Sequence, residues 1–274
     1  MIYMRYPEGK KKALTLSYDD GTIHDIRLIG IMKKYGLKGT FNINSGMYEP
    51  EGKVRWRMSR SMAHEVYVNS GMEVAVHGLN HPYLEQLPEN MRTYEVLQDR
   101  INLEEEYGTI IRGMAYPYGT LSDSVVETLK KCGIAYARTI VSTEKFSVPT
   151  DWLRMPATCE HTNPKLMKLA RDFAENTANK VPELFLLWGH SWVFDCYDNW
   201  NVMEEFAGYM GQRESIWYAT NIEIYDYITA YHQLQFSVNG KRIYNPTNTV
   251  LYMEADGRIR CLKPGETICR RNGL

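Results

Sequence analysis

Apolar runs and polar breaks alternate along most of the chain. Residues 13–18 form a short apolar, β-prone run that stops at Asp19-Asp20-Gly21. Asp25 is placed to cap a helix that carries Ile26, Ile29 and Met32 on one face, with Gly36 as its stop. Residues 38–43 read as a second strand and 59–69 as a helix ended by Gly71. Residues 72–76 are a third strand running straight into His77. Helical spacing through Met91, Tyr94, Leu97 and Ile101 predicts a helix over 90–107, ended by Gly108. A strand over 110–116 leads to Pro117-Tyr118-Gly119, Ser122 caps a helix to Lys131, and 134–139 is a further strand. Residues 141–163 show no period and read as irregular. A helix over 164–178, an apolar strand over 184–188 that stops at Gly189-His190, a helix over 201–212, a strand over 215–219 and a helix over 221–234 complete the series.

Repeated strand–helix units favour a parallel sheet, and about seven in a row predict an α/β fold built as a distorted (β/α) barrel. An open doubly wound sheet is the alternative. It would usually carry a glycine-rich phosphate turn after its first strand, where this chain has Asp-Asp-Gly. The pattern changes near the end: residues 236–243 with Asn239-Gly240, and residues 250–262 with Asp256-Gly257, read as two hairpins. The expected organisation is a barrel over 1–234 and a small β-hairpin appendage over 235–274 packed on it.

Composition narrows the functional classes. With 274 residues, 44% hydrophobic and 24% charged, the chain is long and apolar enough for a large folded domain. A net charge of -1 gives no electrostatic case for a nucleic-acid partner or an anionic membrane surface. Five cysteines without a CxxC pair read as reduced thiols. Residues 1–12 lack the apolar core of a signal peptide, and no apolar run reaches the length of a membrane span, so a cytoplasmic location is expected. Oligomeric state is left open.

The polar residues fall in one place. Asp19 and Asp20 follow the first strand, His77 the third, and Tyr116-Pro117-Tyr118 the fourth. Arg138 ends the fifth, and His190 follows the 184–188 strand. In a (β/α) barrel such strand ends converge on one face, where active sites lie. His77 and His81, four residues apart, suit one shared metal, and Asp20 would complete a three-ligand set with an open position for water. Asp19 should point differently from its neighbour, because side chains alternate along a strand, and would act as general base. His190, from the opposite side, would protonate the leaving amine or alcohol.

Four segments resemble the motifs of the polysaccharide deacetylases, also called NodB-homology domains or family-four carbohydrate esterases. Ser17-Tyr18-Asp19-Asp20-Gly21 is similar to their Thr-Phe-Asp-Asp-Gly, and His77-Gly78-Leu79-Asn80-His81 to their His-Ser/Thr-x-x-His. Ala115-Tyr116-Pro117-Tyr118-Gly119 is similar to Arg-Pro-Pro-Tyr-Gly, and Trp188-Gly189-His190 to Leu-x-His. The resemblance spans roughly residues 13–232. It implies Asp19 as base, Asp20, His77 and His81 as metal ligands, His190 as acid, and the backbone N–H of Tyr118 as an oxyanion donor. Tyr116, Pro117, Trp188 and Trp192 would line the substrate.

The resemblance also implies one divalent ion, zinc first, with cobalt, nickel or manganese as alternatives. The reaction would be removal of acetyl groups from an acetylated saccharide, N-acetyl ahead of O-acetyl, and the missing leader points to a short soluble one. The chain departs from the pattern at Ala115, where the family usually has arginine, and at Thr22, where it usually has proline. Arg138 is the expected substitute for the arginine, with Arg154 as the other candidate. Two further readings are a hydrolase of a non-peptide C–N bond in a small cyclic amide, which loses metal ligands, and a catalytically silent carbohydrate-binding protein.

Overall fold

The computed structural model describes residues 1–178 and 180–270. In chain order the elements are β1 (Ile2–Arg5), β2 (Lys12–Asp19), α1 (Asp25–Lys34), β3 (Gly39–Ile43), α2 (Arg60–Val68), β4 (Glu73–Val76), α3 (Glu89–Tyr107), β5 (Gly113–Ala115), α4 (Asp123–Lys131) and β6 (Tyr136–Ser142). Then follow β7 (Met155–Ala157), β8 (Cys159–Glu160), α5 (Leu166–Glu175), β9 (Glu183–Gly189), α6 (Ser191–Cys196), α7 (Trp200–Met210), β10 (Ile216–Tyr218) and α8 (Asn221–His232). The chain ends in β11 (Gln235–Phe236), β12 (Arg242–Tyr244), β13 (Leu251–Ala255), β14 (Arg258–Leu262) and β15 (Thr267–Cys269).

Nine strands pair in parallel in the order β7-β6-β5-β4-β3-β2-β9-β8, with β10 against the start of β2. The two ends of that order are halves of one extended segment. Met155 and Ala157 pair with β6, while Cys159 and Glu160 pair with β9, and the Thr158 N–H donates to the Leu186 carbonyl at 2.9 Å. The sheet therefore returns on itself as a distorted barrel, and the residues that close it lie in the stretch the sequence reads as irregular. Their segments are short and interrupted, and strand pairing rather than period defines them.

Alternation along the strands sorts the side chains. Leu14, Leu16 and Tyr18 of β2, Phe41 and Ile43 of β3, Val74 and Val76 of β4 and Phe185 and Leu187 of β9 join one buried cluster with the helices. Their neighbours face the barrel axis, and many of them are polar. Ser17, Asp19, Thr40, Asn42 and Arg138 are all 3% exposed or less. Such residues are stable there only if hydrogen-bonded, and the axis is accordingly a ladder of side-chain contacts. At its closed end Glu73 accepts from Thr40 Oγ1 (2.7 Å), Tyr136 OH (2.7 Å) and the Ile222 N–H (3.0 Å). Burial still pushes its carboxyl up to about 7.

Ser59, Ser122 and Thr220 cap α2, α4 and α8 through their side chains. Asp25 does not cap α1. It is the first helical residue after His24 and is wholly buried. Both hairpins form: β11 pairs with β12 and β13 with β14, and Asp256 and Gly257 have φ 54° and 72°, as a tight two-residue turn requires. β1 pairs with β13, which puts the N-terminal strand in the C-terminal sheet. Leu251, Met253 and Leu262 pack with Tyr6, Ile224, Tyr227 and Ile228. All five cysteines are free thiols. No helix among the described residues is long and apolar enough to cross a membrane.

Candidate active site

Asp19 ends β2 facing the axis, beside its register partner Asn42, whose Nδ2 donates to Asp19 Oδ1 at 2.9 Å. Arg138 contacts both carboxylate oxygens through Nη2 and lies fully buried with its guanidinium over the Trp188 ring, 4.7 Å from the centroid. Register explains how it gets there. Ala115 of β5 and Arg138 of β6 are paired residues on neighbouring parallel strands, so their side chains share a face. The guanidinium absent at position 115 arrives from the adjacent strand at the same level. Arg154 is elsewhere, paired with Asp123 and Asp151. Burial acts to raise the Asp19 carboxyl, but Arg138, His77 and His190 outweigh it and hold the group at about 2.

Asp20 leaves the strand with φ 85°, a left-handed conformation for a non-glycine residue, which turns its carboxylate to the same mouth. His81 (φ 54°) and Tyr118 (φ 56°) share that conformation. The ligand atoms of Asp20, His77 and His81 all lie within 4.8 Å of one another. His77 Nδ1 is 2.9 Å from the Ala115 carbonyl, which can only accept, so Nδ1 carries the proton and Nε2 presents a lone pair. That Nε2 lies 3.2 Å from His81 Nε2, and His81 Nε2 lies 3.9 Å from Asp20 Oδ1. Burial lowers the pKa of both rings, His81 to about 4, so both are neutral ligands at pH 7. Two imidazole nitrogens aimed at one point beside a carboxylate fit a divalent cation of the zinc type.

Several residues outside the motifs brace these ligands. Arg57 Nη1 donates to the Asp20 carbonyl (2.5 Å) and to Asn44 Oδ1 (2.9 Å), and its Nη2 to Asp20 Oδ1 (3.2 Å). Asn44 Nδ2 in turn bonds the carbonyls of His77 (2.5 Å) and Gly78 (2.7 Å). Asp99, on α3, accepts from the His77 N–H (3.0 Å) and the Ser45 N–H (2.8 Å). The sequence offered a signal for Asn42, a polar residue between Phe41 and Ile43 in an apolar strand. Arg57 and Asn44 lie in a loop and at a strand end without pattern, and Asp99 lies on the buried face of α3, away from the predicted stripe, of which Met91, Tyr94 and Ile101 are exposed.

His190 Nε2 is 3.8 Å from Asp19 Oδ2 and 4.0 Å from Asp20 Oδ2, and its side chain is 26% exposed. Trp192 Nε1 donates to Asp20 Oδ2 at 3.1 Å, and the Trp192 ring lies 5.6 Å from His190 and 6.1 Å from Trp56. Across the mouth the Tyr118 ring stacks on Tyr83 at 3.9 Å and meets His81 edge-on at 4.4 Å. Tyr118 and Trp192 thus bring aromatic side chains to the mouth, with Tyr83 and Trp56 beside them. Tyr116 is buried with its hydroxyl on the Leu153 carbonyl (2.6 Å), Pro117 is buried close to Gly78, and Trp188 is buried beneath Arg138. His161, which its irregular segment would leave solvated, is instead 3% exposed and stacked between Tyr18 (5.7 Å) and Phe194 (4.1 Å).

Residues 6–137 match the family model described as polysaccharide deacetylase. No protein of curated function matches the sequence. Among solved structures, a Mycobacterium smegmatis protein assigned to the polysaccharide deacetylases is similar over 84% of this chain and 94% of its own, at 17% identity and TM-score 0.61. A family-four pseudoenzyme from Bacillus anthracis is similar over 82% of this chain and 68% of its own, at 16% identity and TM-score 0.50. A Streptococcus pyogenes deacetylase, solved with acetate, aligns over 51% of this chain and 61% of its own, at 23% identity and TM-score 0.46. The family match spans just under half of the chain, and at these identities the Mycobacterium and Bacillus structures speak to the fold alone.

Proposed function

We propose that this protein is a metal-dependent deacetylase of an acetylated saccharide, acting on N-acetyl ahead of O-acetyl groups. The observation that carries the reading is the single mouth shared by Asp20, His77 and His81, as a ligand set, with Asp19 and His190 on either side. A divalent cation held by those three residues would acidify a water and polarise the acyl carbonyl. Asp19, kept ionised by Arg138, takes the proton of the attacking water. His190 Nε2 gives a proton to the departing amine or alcohol oxygen. The backbone N–H of Tyr118 is the proposed donor to the oxyanion. Trp192 and Tyr118 flank the mouth and would guide a sugar ring through their apolar faces.

Retention of all three ligand side chains favours metal-assisted hydrolysis over the metal-free cyclic-amide reading. The silent reading rested on the missing arginine, and the Arg138 contact with Asp19 supports the hydrolytic reading over it. The test is acetate release from short N- and O-acetylated saccharides, measured with metal-loaded, chelator-treated and reloaded protein. Release that is lost with chelator and returns with metal is expected. Metal-loaded protein that releases nothing across the panel would refute the activity, and failure to bind metal would refute the site.

A further inference from the structure

A buried hydrogen-bond chain lies behind the two loops that carry the reacting residues. Thr22 follows the Asp19-Asp20-Gly21 turn, and Ser191 follows His190. Their hydroxyl oxygens are 3.0 Å apart. The Ser191 hydroxyl also contacts Asp25 Oδ1, and the Tyr67 hydroxyl donates to Asp25 Oδ2 at 2.5 Å. Thr22, Asp25 and Ser191 are 0% exposed and Tyr67 is 2% exposed.

Proton counting orders the chain. Burial pushes the Asp25 carboxyl up to about 7; in its ionised form the carboxylate only accepts, and each hydroxyl has one proton to give. With the Ser191 proton directed to Asp25, Thr22 donates to Ser191 Oγ, and the Thr22 oxygen accepts from His24 Nδ1 at 3.4 Å. The donors therefore run from Thr22 to Ser191 to Asp25, and from Tyr67 to Asp25, with the carboxylate as the common end. The chain links four elements: the turn after β2, the start of α1, the start of α6 and the side of α2. None of its four side chains reaches the mouth. Thr22 stands where the family pattern has proline, which has no hydroxyl to give.

We propose that Asp25 is a positioning residue for His190, acting through Ser191 and Thr22 to set the distance between the general acid and the Asp19–Asp20 pair. The proposal rests on the reading of His190 as the acid. A shift of about an ångström in such a group is enough to cost roughly a hundredfold in rate. The cost should depend on the leaving group. An amide nitrogen or sugar oxygen must be protonated to leave, whereas 4-nitrophenolate leaves without help.

The experiment compares Ser191→Ala, Asp25→Asn and Thr22→Val with Thr22→Ser, on an N-acetylated saccharide and on 4-nitrophenyl acetate. Zinc affinity is measured by calorimetric titration alongside. The expected result is a fall of roughly ten- to a hundredfold in kcat on the saccharide for the first three variants. KM, zinc affinity and turnover of the aryl ester stay within about twofold, and Thr22→Ser, which keeps the hydroxyl, behaves as wild type. Equal losses on both substrates, or weakened zinc binding, would show a merely structural role and overturn the proposal. Unchanged saccharide turnover in Thr22→Val and Ser191→Ala would overturn it as well. Thr22→Val is nearly isosteric and keeps the test decisive should Asp25→Asn fold poorly. Wild-type protein that hydrolyses neither substrate would instead refute the deacetylase reading itself.

Discussion

Replacing Arg138 by methionine removes the guanidinium while keeping most of the side-chain volume. Asp19 is then left 3% exposed with Asn42 Nδ2 as its remaining side-chain donor within 3.0 Å. Breaking a buried ion pair from one side costs about 3–5 kcal/mol, because the orphaned charge stays desolvated. The protein can meet that cost in two ways. It can lose the stability outright, or it can let the Asp19 pKa rise, which at 1.36 kcal/mol per unit corresponds to about 2–4 units from a value near 2. A carboxyl at about 4–6 is still ionised at pH 7, so what the base loses is the guanidinium that fixes its direction, and a misplacement of about an ångström costs roughly a hundredfold in rate. Acetate release at pH 7 should therefore fall about a hundredfold, with the urea midpoint lowered and zinc retained. The register supplies the control. Ala115→Arg in the Arg138→Met background puts a guanidinium on the paired position of the next strand, facing the same way. It should restore a substantial part of the activity. The reasoning is refuted if Arg138→Met keeps both turnover and stability, or if the swapped arginine recovers stability without any turnover.

Asp20→Ala should abolish stoichiometric zinc binding, whereas Asp19→Asn should keep the metal and lose turnover; calorimetry with acetate release separates the two. Glu73, raised to about 7 by burial, holds its proton more tightly in the folded than in the unfolded chain. Its contribution is full below about pH 4.5 and is lost as pH rises through about 7, about 3 kcal/mol in all. Glu73→Gln should flatten the fall of stability between pH 5 and 8, and an unchanged slope in denaturation titrations would contradict this. At Gly189 an added Cβ would sit 1.9 Å from His161 Nδ1. Gly189→Ala should cost at least about 2 kcal/mol, with partial relief when His161→Ala is added, as a double-mutant cycle would show.

Much of this molecule is legible from residue order because its signals are local. Alternating apolar runs set β2, β3, β4 and β9, glycines and capping hydroxyls end and start the helices, and two Asp/Asn-Gly turns mark the hairpins. Asp19, Asp20, His77, His81 and His190 stand out for a related reason: each lies at or shortly beyond the end of a strand, and strand ends in a (β/α) fold converge. The remaining features depend on which strand lies beside which. The 155–160 segment carries no period, and it closes the sheet only because β6 and β9 leave one space between them. Arg138 reaches Asp19 because its register with Ala115 places both on the inner face. His161 is buried by rings at positions 18 and 194, and Arg57 braces Asp20 from a loop 37 residues along the chain. Hydrogen bonds and packing between distant segments depend on distances that only the folded chain defines, whereas periodicity, caps and turns are written within a few residues of one another.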